Sequence, residues 1–135
     1  MNEELVKCAI EAREKAFAHY SNFKVGAALL TASGEFVTGC NIENASYGLT
    51  ICAERVAIFK AISDGNTEFV EIAVVADTED TEELVSPCGA CRQIIWEFCG
   101  DIPLTFANLH GKHNTFRTSE LLPFGFDKSF LRNKE

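Results

Sequence analysis

TICAER, residues 50–55, places a thiol, a carboxylate and a guanidinium within four positions, at Cys52, Glu54 and Arg55. Residues 52–62 (CAERVAIFKAI) have the apolar spacing of a helix, and Asp64-Gly65 ends it. The three polar groups therefore lie in the first turn of a predicted helix. The free N–H groups and the partial positive charge of such a turn favour thiolates.

A second predicted helix start carries two more cysteines, in SPCGAC, residues 86–91. Ser86 suits an N-cap and Pro87 suits the first helical position, which predicts a helix that continues to Gly100. The C-x-x-C spacing of Cys88 and Cys91 is by itself compatible with a zinc site, a redox dithiol or coincidence. A thioredoxin-type dithiol would follow the first strand, whereas this motif follows the third predicted strand.

Together the two helix starts predict a catalytic metal site. If the helices pack side by side, Cys52, Cys88 and Cys91 supply three thiolates to one tetrahedral zinc ion. A structural zinc site fills all four positions with protein ligands, whereas a catalytic site keeps one position open for water. The remaining histidines and cysteines are expected in turns, on helices or in the core rather than as a fourth ligand: His19, His110, His113, Cys8, Cys40 and Cys99.

Glu54 and Arg55 receive roles around this metal. Position i+2 of a helix faces away from position i, so Glu54 is not expected to be a ligand, but at the rim of the pocket it can transfer protons. A first-turn glutamate is also explained by the helix dipole alone. Three thiolates leave a bound Zn²⁺ with net negative charge, and Arg55 can offset it by hydrogen bonding to a sulfur. A solvated helix arginine is the alternative interpretation.

The pattern along the rest of the chain predicts one mixed α/β domain over residues 1–135. Apolar periodicity predicts a first helix over 3–18, strands over 24–31, 35–40, 70–76 and 103–107, and a short edge segment over 115–117. Residues 41–48 and the acidic run 77–83 are predicted loops, and residues 119–122 a helical turn. The order α-β-β-α-β-α-β indicates a three-layer α/β/α arrangement around a mixed sheet.

Composition narrows the class of partner. The net charge of the 135 residues is −8 and the pI about 4.9, which argues against nucleic acid as a ligand. The N-terminus is too charged for a signal peptide, and no apolar run approaches the roughly 18 residues of a membrane span. We therefore expect a cytoplasmic protein whose six cysteines bind metal or lie in the core rather than form disulfides.

The two motifs, Cys52-Ala53-Glu54 and Pro87-Cys88-Gly89-Ala90-Cys91, form the signature of zinc-dependent deaminases. Around them the chain resembles the small homotetrameric cytidine deaminases, within the cytidine and deoxycytidylate deaminase superfamily. The matching stretches are YSNFKVGAALLT, GCNIENASYGLTICAERVAI, SPCGACRQ and ELLP. The resemblance implies a five-stranded sheet, one zinc ion per chain, a homotetramer, and hydrolytic deamination of cytidine or deoxycytidine in pyrimidine salvage.

The resemblance also implies roles for single residues. Glu54 would carry the proton from the attacking water to the ring and then to the leaving amine. Phe23 would pack on the pyrimidine, and the backbone N–H of Ala53 would hold the base carbonyl. The pair Asn41 and Glu43 would bind the ribose 3′-hydroxyl. Tyr47 and an aromatic residue of the tail would reach a neighbouring subunit's pocket. The spacing after ELLP assigns this tail residue as Phe126, and Phe124 lies two positions before it.

Three other functions remain open from the sequence. The first is deamination of a related aminopyrimidine nucleoside such as blasticidin S, against which NIEN and Phe23 favour an ordinary ribonucleoside. The second is deamination of nucleic acid, which the acidic balance disfavours. The third is a structural zinc-binding module without catalysis, against which Glu54 and the open metal position argue.

Overall fold

The computed structural model describes residues 1–76 and 83–131. Its helices and strands are, in chain order, α1 (Glu3–Arg13), β1 (Val25–Thr31), β2 (Phe36–Cys40), α2 (Ala53–Ser63), β3 (Phe69–Ala76), α3 (Gly89–Cys99), β4 (Pro103–Ala107), β5 (His113–Arg117) and α4 (Thr118–Leu121). Two short 3₁₀ turns, Tyr47–Leu49 and Lys128–Phe130, complete the described elements.

The strands form one mixed five-stranded sheet in the order β2-β1-β3-β4-β5. Strands β3 and β4 are parallel, and the other neighbouring pairs are antiparallel. The parallel pair needs a crossover, and α3 lies in it, so the start of α3 comes to the edge of the sheet where β3 ends. The predicted mixed sheet is confirmed.

Helices cover both faces of the sheet. On β1, Ala27 and Leu29 face the core under α2 and α3, whereas Ala28 faces α1, as the two-residue period of a strand requires. The larger core cluster includes Ile58 of α2 and Ile95 of α3, both fully buried. The predicted three-layer α/β/α arrangement is therefore confirmed.

Two glycines let the helices approach the sheet closely. A Cβ added at Gly26 would lie 2.0 Å from the carbonyl oxygen of Ala9 in α1. A Cβ added at Gly39 would lie 2.5 Å from the backbone nitrogen of Ala57 in α2. Because α2 packs closely on β2, the position of the N-terminal residues of α2 relative to the sheet is fixed.

The first helix is shorter than predicted, because it ends at Arg13 rather than at residue 18. Phe17 instead forms a parallel bridge with Ile42. The backbone N–H of Phe17 donates to Asn41 (3.0 Å), and its carbonyl accepts from Glu43 (2.8 Å). These long-range bonds replace the helical bonds that the local apolar period predicted.

The start of α3 also differs from the prediction. The N-cap is Cys88, whose Sγ accepts from the backbone N–H of Cys91 at 3.4 Å, so Ser86 and Pro87 precede the helix. His113, expected in a turn, begins β5. Of the predicted acidic loop, residues 77–82 lie outside the described residues. Within the described part of the chain, no helix is both long and apolar enough to cross a bilayer.

Candidate active site

The three predicted metal-binding cysteines meet at the starts of two neighbouring helices. Cys52 is the N-cap of α2, Cys88 is the N-cap of α3, and Cys91 is the third residue of α3. Their sulfur atoms all lie within 4.8 Å of one another. Helices α2 and α3 pack side by side, which brings both positively polarised N-termini to this point.

This donor set fits a zinc ion. Zinc–sulfur bonds of about 2.3 Å in a tetrahedral site separate the sulfurs by about 3.8 Å, which falls within the 4.8 Å limit on the spacing of the three thiols. Soft thiolates bind zinc in preference to magnesium or calcium. Cys91 is fully buried, Cys52 is half-buried and Cys88 is exposed, so the cluster opens toward one side. The described residues place no histidine in the cluster.

Arg55 contributes positive charge to the thiol cluster. Its guanidinium donates to the sulfur of Cys52 at 3.5 Å. Hydrogen bonding from Cys91, and then from Arg55, lowers the pKa of the Cys52 thiol to about 5 despite its burial. The same hydrogen bond, together with burial, raises the pKa of Cys91. One thiolate is thus already favoured at neutral pH before metal binds.

Glu54 is a buried carboxyl beside these thiols. It is the second residue of α2, and only 4% of its surface is exposed. Burial raises the pKa of Glu54 to about 7, and the negative charge of Cys52 acts in the same direction. A carboxyl that titrates near neutral pH can both accept and donate a proton, which suits general acid–base chemistry.

A cavity of about 210 Å³ lies directly against Glu54 and Cys52. The ends of β1 and β3 and the segment before α3 form its walls. The residues that line it are Phe23, Val25, Asn41, Thr50, Ile51, Cys52, Ala53, Glu54, Val74, Ala76, Val85, Ser86, Pro87 and Cys88. Such a cavity is smaller than the roughly 300 Å³ and upward typical of drug-sized ligands, and suits one small heterocycle.

Asn41 lies at the cavity and is 7% exposed. Its Nδ2 donates to the carbonyl of Phe23 (2.8 Å), and its Oδ1 accepts from the backbone N–H of Val25 (2.9 Å). Asn41 therefore fixes the backbone on both sides of residue 24, and with it the position of Phe23 on the cavity wall.

Glu43 holds the preceding turn. Its carboxylate accepts from the backbone N–H groups of Tyr20 and Ser21, each at 3.0 Å, and from the Ser21 hydroxyl. The hydrogen bonds from Ser21 are the main reason that the pKa of Glu43 is lowered. Glu43 is not among the residues that line the cavity, although its neighbour Asn41 is.

The other predicted site residues do not line the cavity of the single chain. Tyr47 is 74% exposed in the first 3₁₀ turn. Phe126 is 58% exposed and stacks on Phe130 with ring centroids 5.7 Å apart. Phe124 is fully exposed, with a positive φ of 57°. These aromatic side chains are available to contacts outside the chain.

The sequence analysis missed the wall formed by Val85, Ser86 and Pro87. It also gave no role to Arg92, whose guanidinium donates to Ser86 and Pro87. The one available signal was the position of Arg92 in SPCGACRQ, four residues after Cys88 and directly after Cys91.

Comparison with known proteins identifies the family of the chain. Residues 1–104 match the family described as the cytidine and deoxycytidylate deaminase zinc-binding region. Cytidine deaminase of Sporosarcina psychrophila is 52% identical over 130 residues, which cover 96% of this chain and 93% of that protein. Cytidine deaminase of Halalkalibacterium halodurans is 54% identical over 123 residues, covering 90% of this chain and 91% of that protein.

A solved structure agrees as well. The crystal structure of cytidine deaminase from Burkholderia pseudomallei superposes with a TM-score of 0.88 at 45% identity, covering 93% of this chain and 99% of that chain. Fold, thiol cluster and sequence point the same way, and the chain belongs to the family of zinc-binding cytidine and deoxycytidylate deaminases.

Proposed function

We propose that this chain hydrolyses cytidine and deoxycytidine to uridine and deoxyuridine and releases ammonia. The observation that carries the proposal is the buried carboxyl of Glu54, which lines a small cavity next to three clustered thiols. A structural zinc module would have no use for an acid–base group in a cavity beside its metal.

Cys52, Cys88 and Cys91 would hold one zinc ion per chain, and zinc when bound supplies the Lewis acidity that makes a water nucleophilic at neutral pH. Their placement at two helix N-termini stabilises the thiolate forms. Arg55, which donates to Cys52, would withdraw electron density from that sulfur and so offset the excess negative charge.

Glu54 would carry protons in both halves of the reaction. It accepts a proton from the attacking water as the oxygen bonds to C4 of the ring, and passes that proton to N3. It then takes the remaining proton of the former water and gives it to the exocyclic amine, which leaves as ammonia while C4 becomes a carbonyl. Cytidine and water are thereby converted into uridine and ammonia.

Binding groups around Glu54 would orient the base and the sugar. Ala53 is the first residue of α2, and the N–H groups of a first helical turn have no partner within the helix. Its N–H would hold the base carbonyl, and Phe23 would pack on the ring. Asn41 and Glu43 would bind the ribose 3′-hydroxyl.

The working protein would be a homotetramer in the cytoplasm, with residues 1–135 as one domain and a role in pyrimidine salvage. Phe126 and Phe130 stack on each other while both stay more than half exposed, and such clustered exposed apolar surface supports burial against other copies. Tyr47 and Phe126 would reach the cavity of a neighbouring subunit. Free nucleoside rather than nucleic acid is the substrate that agrees with a net charge of −8.

This proposal is tested by measuring turnover of cytidine, deoxycytidine and blasticidin S through the loss of the cytosine absorbance band. Metal analysis of the same protein measures its zinc content. We expect about one zinc per chain and turnover of the two ordinary nucleosides. Zinc without turnover of any of them would instead support a binding module. Turnover of blasticidin S alone would indicate that the substrate is a related aminopyrimidine nucleoside instead of cytidine. Sedimentation velocity measures the number of chains in the assembly.

A further inference from the structure

We propose that Arg92 is a positioning residue that fixes the peptide before Cys88 and thereby sets the geometry of the metal site. The inference rests on the zinc site of the proposed function, not on the identity of the nucleoside. It concerns how one of the three thiols is held before metal binds.

The guanidinium of Arg92 uses all three of its nitrogens. Nε donates to the carbonyl of Pro87 (2.8 Å), and the two terminal nitrogens donate to the hydroxyl of Ser86 (2.7 Å) and to the carbonyl of Leu121 (2.8 Å). The planar fork of an arginine can reach three acceptors in fixed directions, which a lysine ammonium at the end of a flexible stem cannot reproduce.

The three cysteines differ in how the backbone around them is held. Cys91 lies inside α3 and is fully buried. Cys52 follows Ile51, which is joined to Ile42 by two backbone hydrogen bonds of 3.0 Å each. The positions of these two thiols are therefore fixed by helical and strand-like backbone bonds.

On its C-terminal side Cys88 is held by α3, because its carbonyl accepts from the N–H of Arg92 (2.9 Å) and its Sγ accepts from the N–H of Cys91 (3.4 Å). On its N-terminal side Cys88 has a different support. The described residues 83–88 form neither helix nor strand, and Cys88 is exposed. The carbonyl of Pro87 belongs to the peptide that joins Pro87 to Cys88, so the bond from Arg92 sets the plane of that peptide. Arg92 thus does for Cys88, through a side chain, what the bridge between Ile42 and Ile51 does for Cys52.

Arg92 acts through these contacts and not on the substrate. It is not among the residues that line the cavity, whereas Ser86 and Pro87 are. Its third bond reaches Leu121, the last residue of α4, whose carbonyl has no partner within that helix. The segment before Cys88 is therefore anchored to a second element as well as to α3.

Groups that orient metal ligands in this way typically cost about 10- to 100-fold in metal affinity when removed. For Arg92→Met we expect a loss of zinc affinity of that order in competition with a chelator. In the metal-free protein we expect faster alkylation of Cys88, measured by mass spectrometry on peptides, while Cys52 and Cys91 react as in the wild type. Arg92→Lys is expected to lose affinity too, because one ammonium cannot replace the three-way fork.

Arg117→Met is the matched control, because Arg117 also holds a backbone carbonyl and a side-chain oxygen, both of Asp101, but away from the cavity. We expect this variant to keep wild-type zinc affinity even where its thermal stability falls. If Arg92→Met is recovered unfolded, the Arg92→Lys measurement decides.

Three results would overturn the inference: zinc affinity and Cys88 reactivity unchanged in Arg92→Met, full affinity in Arg92→Lys, or equal zinc loss in Arg117→Met at matched stability. Zinc binding and alkylation are measured without substrate. Failure of wild-type turnover on cytidine would therefore reject the proposed function while leaving this result intact.

Discussion

The guanidinium of Arg55 lies 3.5 Å from the sulfur of Cys52. Cys52 is the N-cap of α2 and Arg55 lies in its first turn, three positions later, a spacing that places side chains on one face of a helix. The contact supports the expectation that this arginine serves the thiol cluster rather than the solvent. Its consequence is an electrostatic one, and it can be measured.

Arg55→Gln is expected to raise the pKa of the Cys52 thiol in the metal-free protein. Hydrogen bonding from Cys91 remains the largest cause of the lowered value, but the contribution of Arg55 is lost. The thiolate absorbance should therefore appear at higher pH than in the wild type, and turnover should fall by about 10- to 100-fold. Arg55→Lys, which keeps the charge, is the control. An unchanged thiolate titration in Arg55→Gln would return Arg55 to a solvated surface residue.

Glu54→Gln is expected to keep zinc and to lose turnover. The amide preserves the shape of a side chain that is 4% exposed, but it cannot accept and pass on a proton. General acid–base groups typically contribute about 100- to 10,000-fold to the rate, so kcat should fall by at least about 100-fold.

The control for Glu54→Gln is the zinc content of the purified variant, measured beside the wild type. Zinc that is lost together with activity would mean that Glu54 supports the metal rather than the proton transfers. Full zinc with full activity would exclude it from both roles.

Asn41→Ala is expected to weaken substrate binding and to lower stability. The substitution removes two hydrogen bonds and leaves the carbonyl of Phe23 and the N–H of Val25 to find other partners. An unsatisfied buried polar group costs about 1–3 kcal/mol. Urea unfolding should show this loss, and KM should rise more than kcat falls because Phe23 is displaced. Asn44→Ala, in an exposed part of the same loop, is the control. A KM that does not change would separate Asn41 from the substrate.

The sequence predicted the parts of this molecule that depend on local pattern and motif spacing. Four strands, the edge segment, the three layers and the convergence of Cys52, Cys88 and Cys91 follow from the apolar period and from two helix starts, and the family resemblance implied the five-stranded sheet. The errors arose where distant residues determine the local structure. The bridge between Phe17 and Ile42 ends α1 early, and no short-range pattern in residues 3–18 reveals it.

The same reason explains the missed contacts at the site. Ser86 satisfies the preferences of an N-cap, yet its hydroxyl accepts from Arg92, and Cys88 caps the helix instead. The hydrogen bonds of Glu43 to Tyr20 and Ser21 span more than twenty residues. Such partners depend on the tertiary fold, which residue spacing alone does not determine.

Asp127 holds the indole of Trp96, the single tryptophan of the chain, at 3.1 Å, and tryptophan fluorescence should report this contact. Hydrogen bonds from Ser129, followed by the bond from Trp96, lower the pKa of Asp127 below its ordinary value of 3.8. Because the folded-state pKa is lowered, the stabilising contact is fully present above the ordinary value and is lost as pH falls through the lowered one. The Trp96 emission should therefore stay constant down to about pH 4 and change only below it. Asp127→Ala should show the altered emission already at neutral pH and no further step of this kind in acid. An identical acid transition in both proteins would assign the step to general unfolding rather than to the contact between Asp127 and Trp96.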